Sequence, residues 1–142
     1  MTEGAYNVNV GAGMPAHVLI CDDEQRLASL MGGLLQQCGY RATAVTTGEA
    51  ALRAVGEGVF DAVLLDVNLP GEDTASILSR LRRLAPNLPV LLSSGYPSDD
   101  LAAEIAGAPN VVDYLDKPYT VDKLIGVLQA VLGPRLGPGP SE

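Results

Sequence analysis

Asp22, Asp23 and Glu24 follow the apolar run 17–21, and Asp66 closes the apolar run 62–66. Ser94 closes a further run, 90–94, and Asp116-Lys117-Pro118 follows another, 111–115. Two carboxylates about 4 Å apart repel by about 4 kcal/mol at an effective dielectric of about 20. If these acids meet, one lysine cannot balance them, whereas a hard divalent cation can. A set of oxygen donors without His or Cys suits Mg²⁺, Mn²⁺ or Ca²⁺, and not zinc. Beside such a cation one carboxylate can act as a nucleophile and hold a phosphoryl group as an aspartyl phosphate. That transfer needs chiefly positioning and charge stabilisation, which Lys117 and the Ser94 hydroxyl can supply. The only histidine, His17, opens the first run at the other end, so it is expected to be a solvent-facing or strand-edge residue.

These residues share a rim only if the runs are parallel strands. The first run is followed by Leu27, Leu30, Met31, Leu34, Leu35 and Cys38 at helical spacing, with Gly39 as a stop. Residues 40–45 read as a second strand. Thr46 and Glu49 resemble a capping box opening a helix to about residue 55. Strand 62–66 is almost wholly apolar, as a strand covered on both faces should be. A helix is expected over 74–84, a strand over 90–94, a short helix over 100–106 and a strand over 111–115. A last helix after Thr120 packs Val121, Leu124, Ile125, Leu128, Val131 and Leu132. Alternating strands and helices predict a doubly wound five-stranded parallel sheet with right-handed crossovers. In such sheets ligands bind beyond the carboxyl ends of the strands.

The 142 residues fit one domain, expected over 16–132, with flexible segments at 1–15 and 133–142, the latter rich in Pro and Gly. Nine basic residues against 17 acidic ones give a net charge of −8, which argues against direct binding of nucleic acid. Arg80, Arg82 and Arg83 read as a solvated helix face. Cys21 and Cys38 fall at opposite ends of a strand and its crossover helix, so no disulfide is expected and a reducing cytoplasm is the natural setting. No apolar run is long enough to span a membrane, and no signal peptide is visible.

The acidic pair, the lone Asp66 before a Leu-Pro-Gly turn, Ser94 and Lys117-Pro118, in that order at strand ends, resemble the receiver domains of two-component response regulators. The resemblance covers about residues 16–132. It implies a flavodoxin-like (βα)₅ fold with strand order 2-1-3-4-5. It implies that Asp66 accepts the phosphoryl group, that Asp23, Asp66 and the Asn68 carbonyl bind Mg²⁺, and that Asp22 assists. Lys117 would pair with the phosphoryl oxygens, Ser94 would hydrogen-bond to them, and Tyr114 would be the aromatic switch. The Lys117–Pro118 peptide would be cis. The donor would be a sensor histidine kinase or a histidine phosphotransfer protein. Output would pass to a protein partner through the face of helix 4, strand 5 and helix 5. Ser94-Gly95-Tyr96 resembles receivers attached to hybrid histidine kinases, and Tyr96 would shield the phosphoryl site. Thr74 departs from the pattern, standing where many receivers have Gly.

On this reading the chain is a signalling domain that catalyses only its own phosphorylation and dephosphorylation, with no DNA-binding output attached. The alternative is a Mg²⁺-dependent aspartate-nucleophile phosphatase, against which Asn68 occupies the place of the usual second Asp. A flavin carrier of the same topology would need a phosphate-cradling loop where this chain has three acids.

Overall fold

The computed structural model describes residues 15–95 and 101–133. Its elements alternate as β1 (His17–Cys21), α1 (Gln25–Gln37), β2 (Arg41–Val45), α2 (Gly48–Glu57), β3 (Ala62–Asp66), α3 (Thr74–Leu84), β4 (Val90–Ser94), α4 (Ala103–Ala106), β5 (Val111–Asp116) and α5 (Val121–Leu132). All strands are parallel, in the order β2-β1-β3-β4-β5. This is the doubly wound sheet that the alternation predicts, in the order that the resemblance implies. The segments expected at 1–15 and 133–142 fall, except for Pro15 and Gly133, outside the described residues, as do Tyr96 and the expected start of helix α4 at 100; within them α4 begins at Ala103.

The central strands read as continuous apolar runs because both faces are covered. Val18 and Ile20 of β1, with Ala62 and Leu64 of β3, point to a cluster closed by α1 and α5. Leu19 and Cys21, with Val63 and Leu65, point to the opposite cluster, closed by α2 and α3. Fully burying one Leu or Val contributes about 1.5–3 kcal/mol, so this alternation fixes which strand residues face each layer.

Helix α1 corrects one expectation. Leu30 is 59 % exposed, and the buried stripe is Ala28, Met31, Gly32 and Leu35. Helix α5 buries Val127 with Leu124 and Leu128, while Val121, Ile125, Val131 and Leu132 are half-buried. The cap of α2 is also corrected: Thr47, not Thr46, is the N-cap, and its hydroxyl accepts from Ala50 N at 3.1 Å. Glu49 instead pairs with Arg80 of α3 at 2.9 Å. Asp73 caps α3, accepting from Ala75 N at 3.1 Å.

His17 is half-buried, and its strand is not an edge strand, because β1 lies between β2 and β3. Its Nε2 is 2.8 Å from Thr43 Oγ1, and its ring lies 4.3 Å from that of Phe60. Burial and the Arg41 charge hold its pKa below the ordinary 6.5, against the Val59 carbonyl and Asp61. It does stand at the amino end of its strand, away from the acidic rim. Both cysteines are free.

Candidate functional site

The carboxyl ends of β1 and β3 are neighbours, so the parallel register brings Asp22, the residue after β1, beside Asp66, the last residue of β3. Both are buried, at 4 % and 2 % exposure, while Asp23 is exposed. One carboxylate oxygen from each of Asp22, Asp23 and Asp66 lies within 4.8 Å of the others. The next neighbour, β4, aligns Ser93 with Asp66 and ends in buried Ser94. Lys117 enters from the far edge: its backbone N–H donates to Ser94 O at 2.8 Å, just beyond the end of β5. The Lys117–Pro118 peptide is cis, as the resemblance implies.

The two buried carboxylates are held in the same way. Asp22 Oδ1 accepts from the Glu24 backbone N–H at 2.9 Å, and Asp66 Oδ1 accepts from the Asn68 backbone N–H at 2.9 Å. Their Oδ2 atoms share the Lys117 ammonium, at 3.0 Å and 3.1 Å. Burial disfavours the charged lysine, but the Asp22 hydrogen bond and the Asp66 carboxylate outweigh it and raise its pKa above the ordinary 10.5. Three carboxylates against one ammonium still leave an excess of negative charge on a cluster of oxygen donors. With Cys21 Sγ turned away to donate to Thr47 O at 3.3 Å, the donor set fits a hard divalent cation. Burial, with the charges of Glu72, Asp22, Asp66 and Asp23, pushes the Cys21 thiol up to about 12, so it stays protonated and inert.

Four of the residues singled out from the sequence thus meet: Asp22, Asp23, Asp66 and Lys117. Asn68 joins them through its backbone N–H, and Ser94 through its carbonyl. Tyr114 stands three residues before Lys117, half-buried against the α2–α3 side of the core. Its hydroxyl donates to Ala106 O at the end of α4, at 2.8 Å. Glu24 and Thr47 stay outside the acidic cluster, Glu24 preceding α1 and Thr47 capping α2.

The geometry adds residues that sequence reasoning did not place here. Burial drives the phenol of Tyr119, two residues after Lys117, up to about 12, with Lys117 opposing and Asp22 and Asp66 reinforcing. Val67 N donates to Ser93 O at 3.0 Å, and three further contacts pin the loop after Asp66. Thr74 Oγ1 donates to Val67 O at 3.0 Å, Glu72 N donates to Leu69 O at 3.2 Å, and Glu72 Oε1 accepts from Gly48 N at 2.8 Å. A hydroxyl at 74 was visible in the sequence, but its partner seven residues earlier depends on the path of the loop.

Comparison with known proteins gives the same outline. Residues 18–129 match the profile of the Response regulator receiver domain. The transcriptional regulatory protein TcrA of Mycobacterium tuberculosis is 38 % identical over 125 residues, which is 87 % of this chain and 47 % of TcrA. The chain therefore spans about half the length of that relative. A CheY-like receiver domain from Methylobacillus flagellatus is 30 % identical, with a TM-score of 0.73 over 82 % of this chain and 98 % of its own. The response regulator TrrA of Thermotoga maritima, solved in complex with Mg²⁺-BeF, is 25 % identical, with a TM-score of 0.70 over 82 % of this chain and 99 % of its own.

Proposed function

The chain belongs to the response regulator receiver domain family, and from that footing we propose that Asp66 accepts a phosphoryl group from the phosphohistidine of a sensor histidine kinase or a histidine phosphotransfer protein. One observation carries this reading. Asp66 is buried at the end of a central strand, with one oxygen fixed by a backbone N–H and the other on Lys117, beside two further carboxylates. A structural carboxylate needs one partner, not a cluster of like charges. A cluster that repels itself is a site arranged for a ligand of opposite charge.

Asp22, Asp23, Asp66 and the Asn68 carbonyl would hold Mg²⁺, with Mn²⁺ as a substitute. The cation, when bound, neutralises the carboxylates and the charge on the phosphoryl oxygens. The chain's own residues do the rest. An Asp66 oxygen attacks phosphorus, the P–N bond to the donor imidazole breaks, and its electron pair returns to that ring. Lys117, released from Asp66 Oδ2, follows the negative charge onto the phosphoryl oxygens, and the Ser94 hydroxyl donates to another. The Asn68 N–H keeps the acceptor carboxylate oriented throughout.

Output is read as a change in the protein-interaction face formed by α4, β5 and α5, with Tyr114 as its moving part. The tie from Tyr114 to Ala106 supports this, since it joins the edge strand to α4 directly. The reading makes the domain a substrate and catalyst of its own phosphorylation and not a turnover enzyme. Among the described residues no helix is long and apolar enough to cross a membrane. With two free cysteines, the cytoplasm is the proposed setting.

The test is incubation with acetyl phosphate and Mg²⁺ followed by mass spectrometry of intact and digested protein. One phosphoryl group on Asp66, absent from Asp66→Asn, is expected. Label retained by Asp66→Asn would refute the assignment.

A further inference from the structure

We propose that Thr74 is a positioning residue for the Asp66 carboxylate, acting through the single peptide group between Val67 and Asn68. The inference rests on the reading of Asp66 as the acceptor and goes beyond it. The Thr74 Oγ1 hydroxyl donates to Val67 O at 3.0 Å. The other end of that same peptide, the Asn68 N–H, donates to Asp66 Oδ1 at 2.9 Å. A peptide unit is planar, so fixing its carbonyl end fixes the direction of its N–H. A hydrogen bond accepted by the carbonyl also polarises the unit and strengthens the N–H as a donor. The hydroxyl, the peptide and the carboxylate thus form one chain of aligned dipoles ending on the residue that reacts.

The anchor of this chain is rigid. Thr74 is the first residue of α3, directly after the N-cap Asp73, and is 5 % exposed, so water is poorly placed to replace its hydroxyl. The other pins of the loop, Val67 N on Ser93 O and the two bonds through Glu72 to Leu69 O and Gly48 N, leave the Val67–Asn68 peptide untouched. The Asn68 carbonyl follows in the next peptide, so a rotation at Val67–Asn68 would displace both the carboxylate's donor and a proposed metal ligand. Glycine at position 74 would offer no such hydroxyl, which makes this a property of the threonine and not of the loop alone.

The experiment compares wild type, Thr74→Val, Thr74→Ala and Thr74→Ser. The Asn68 amide proton shift is read by ¹⁵N-resolved NMR in metal-free protein, the Mg²⁺ dissociation constant by calorimetry, and the phosphorylation rate with acetyl phosphate at saturating Mg²⁺. Thr74→Val is expected to move the Asn68 amide upfield and to weaken Mg²⁺ binding about tenfold, the scale on which partners that orient metal ligands act. Thr74→Ser is expected to restore both. Should the valine variant not fold, the smaller Thr74→Ala carries the same expectation, and a folded Thr74→Ser with a wild-type amide shift supports it. A wild-type Asn68 shift and Mg²⁺ affinity in a folded hydroxyl-free variant would overturn the inference and leave the site reading intact. Wild-type protein that takes neither Mg²⁺ nor a phosphoryl group would instead overturn the site reading, and this inference with it.

Discussion

Asp23→Asn separates repulsion from metal binding in one substitution. Asp23 is the exposed member of the acidic cluster, and one of its oxygens lies within 4.8 Å of oxygens of both Asp22 and Asp66. At that limiting distance each pair repels by about 0.9 kcal/mol in the dielectric of water and by about 3.5 kcal/mol at an effective value of about 20. Because Asp23 faces solvent, the lower figure governs, and two pairs sum to about 2 kcal/mol. Removing the charge should therefore stabilise the metal-free protein by about 1–3 kcal/mol, or about 3 °C in Tm per kcal/mol for a chain of this size. With Mg²⁺ the sign reverses. The native state of the wild type gains RT ln(1 + [Mg²⁺]/Kd), and the variant, lacking a ligand, loses most of that increment. The assay is thermal and urea unfolding of both proteins in EDTA and in millimolar MgCl₂. A variant less stable than wild type in EDTA, or one with an unchanged Mg²⁺ increment, would refute the picture of a self-repelling cluster relieved by a cation.

Two further outcomes follow from the packing and from titration. Gly48→Ala should destabilise the fold by about 1–3 kcal/mol, because an added Cβ would collide with the Glu72 carboxylate and the Ile77 side chain; urea midpoints measure this, and a gain, as helix propensity alone would give, would contradict it. Stability should fall as pH drops below about 6.5, because the unfolded chain protonates His17 there while the folded chain, with its pKa lowered, does not; chemical denaturation between pH 7.5 and about 5 should show this slope reduced in His17→Gln.

What the sequence disclosed was set by periodicity. Strand 62–66 could be read to the residue because a strand buried on both faces has no polar position until Asp66 closes it. The rim residues were legible because strand ends in a parallel sheet must gather on one side, whatever the helices do. Leu30 was misjudged for a physical reason: helical spacing admits it to the apolar face, but the sheet accepts the smaller stripe of Ala28 and Gly32. Thr46 and Thr47 are adjacent hydroxyls, and only the path of the chain decides which becomes the cap. That half-buried His17 lies on a central strand depends on strand order, which periodicity does not contain. Lys117 bridging two carboxylates, and Thr74 reaching back to Val67, depend on three-dimensional paths that leave no mark in spacing.

Helix α4 has four residues, buries none of them fully, and is tied to the edge strand by the Tyr114 hydroxyl. Elsewhere, shifting a helix would drag leucines into water at about 1.5–3 kcal/mol each, a sum that one modification could not supply. Helix α4 lays the half-buried Ile105 against the core, a smaller apolar contact than the buried leucines of α2 and α3 make. Among the described helices α4 is thus the one that buries no side chain fully, whereas the acidic rim stands at the ends of fully buried strands.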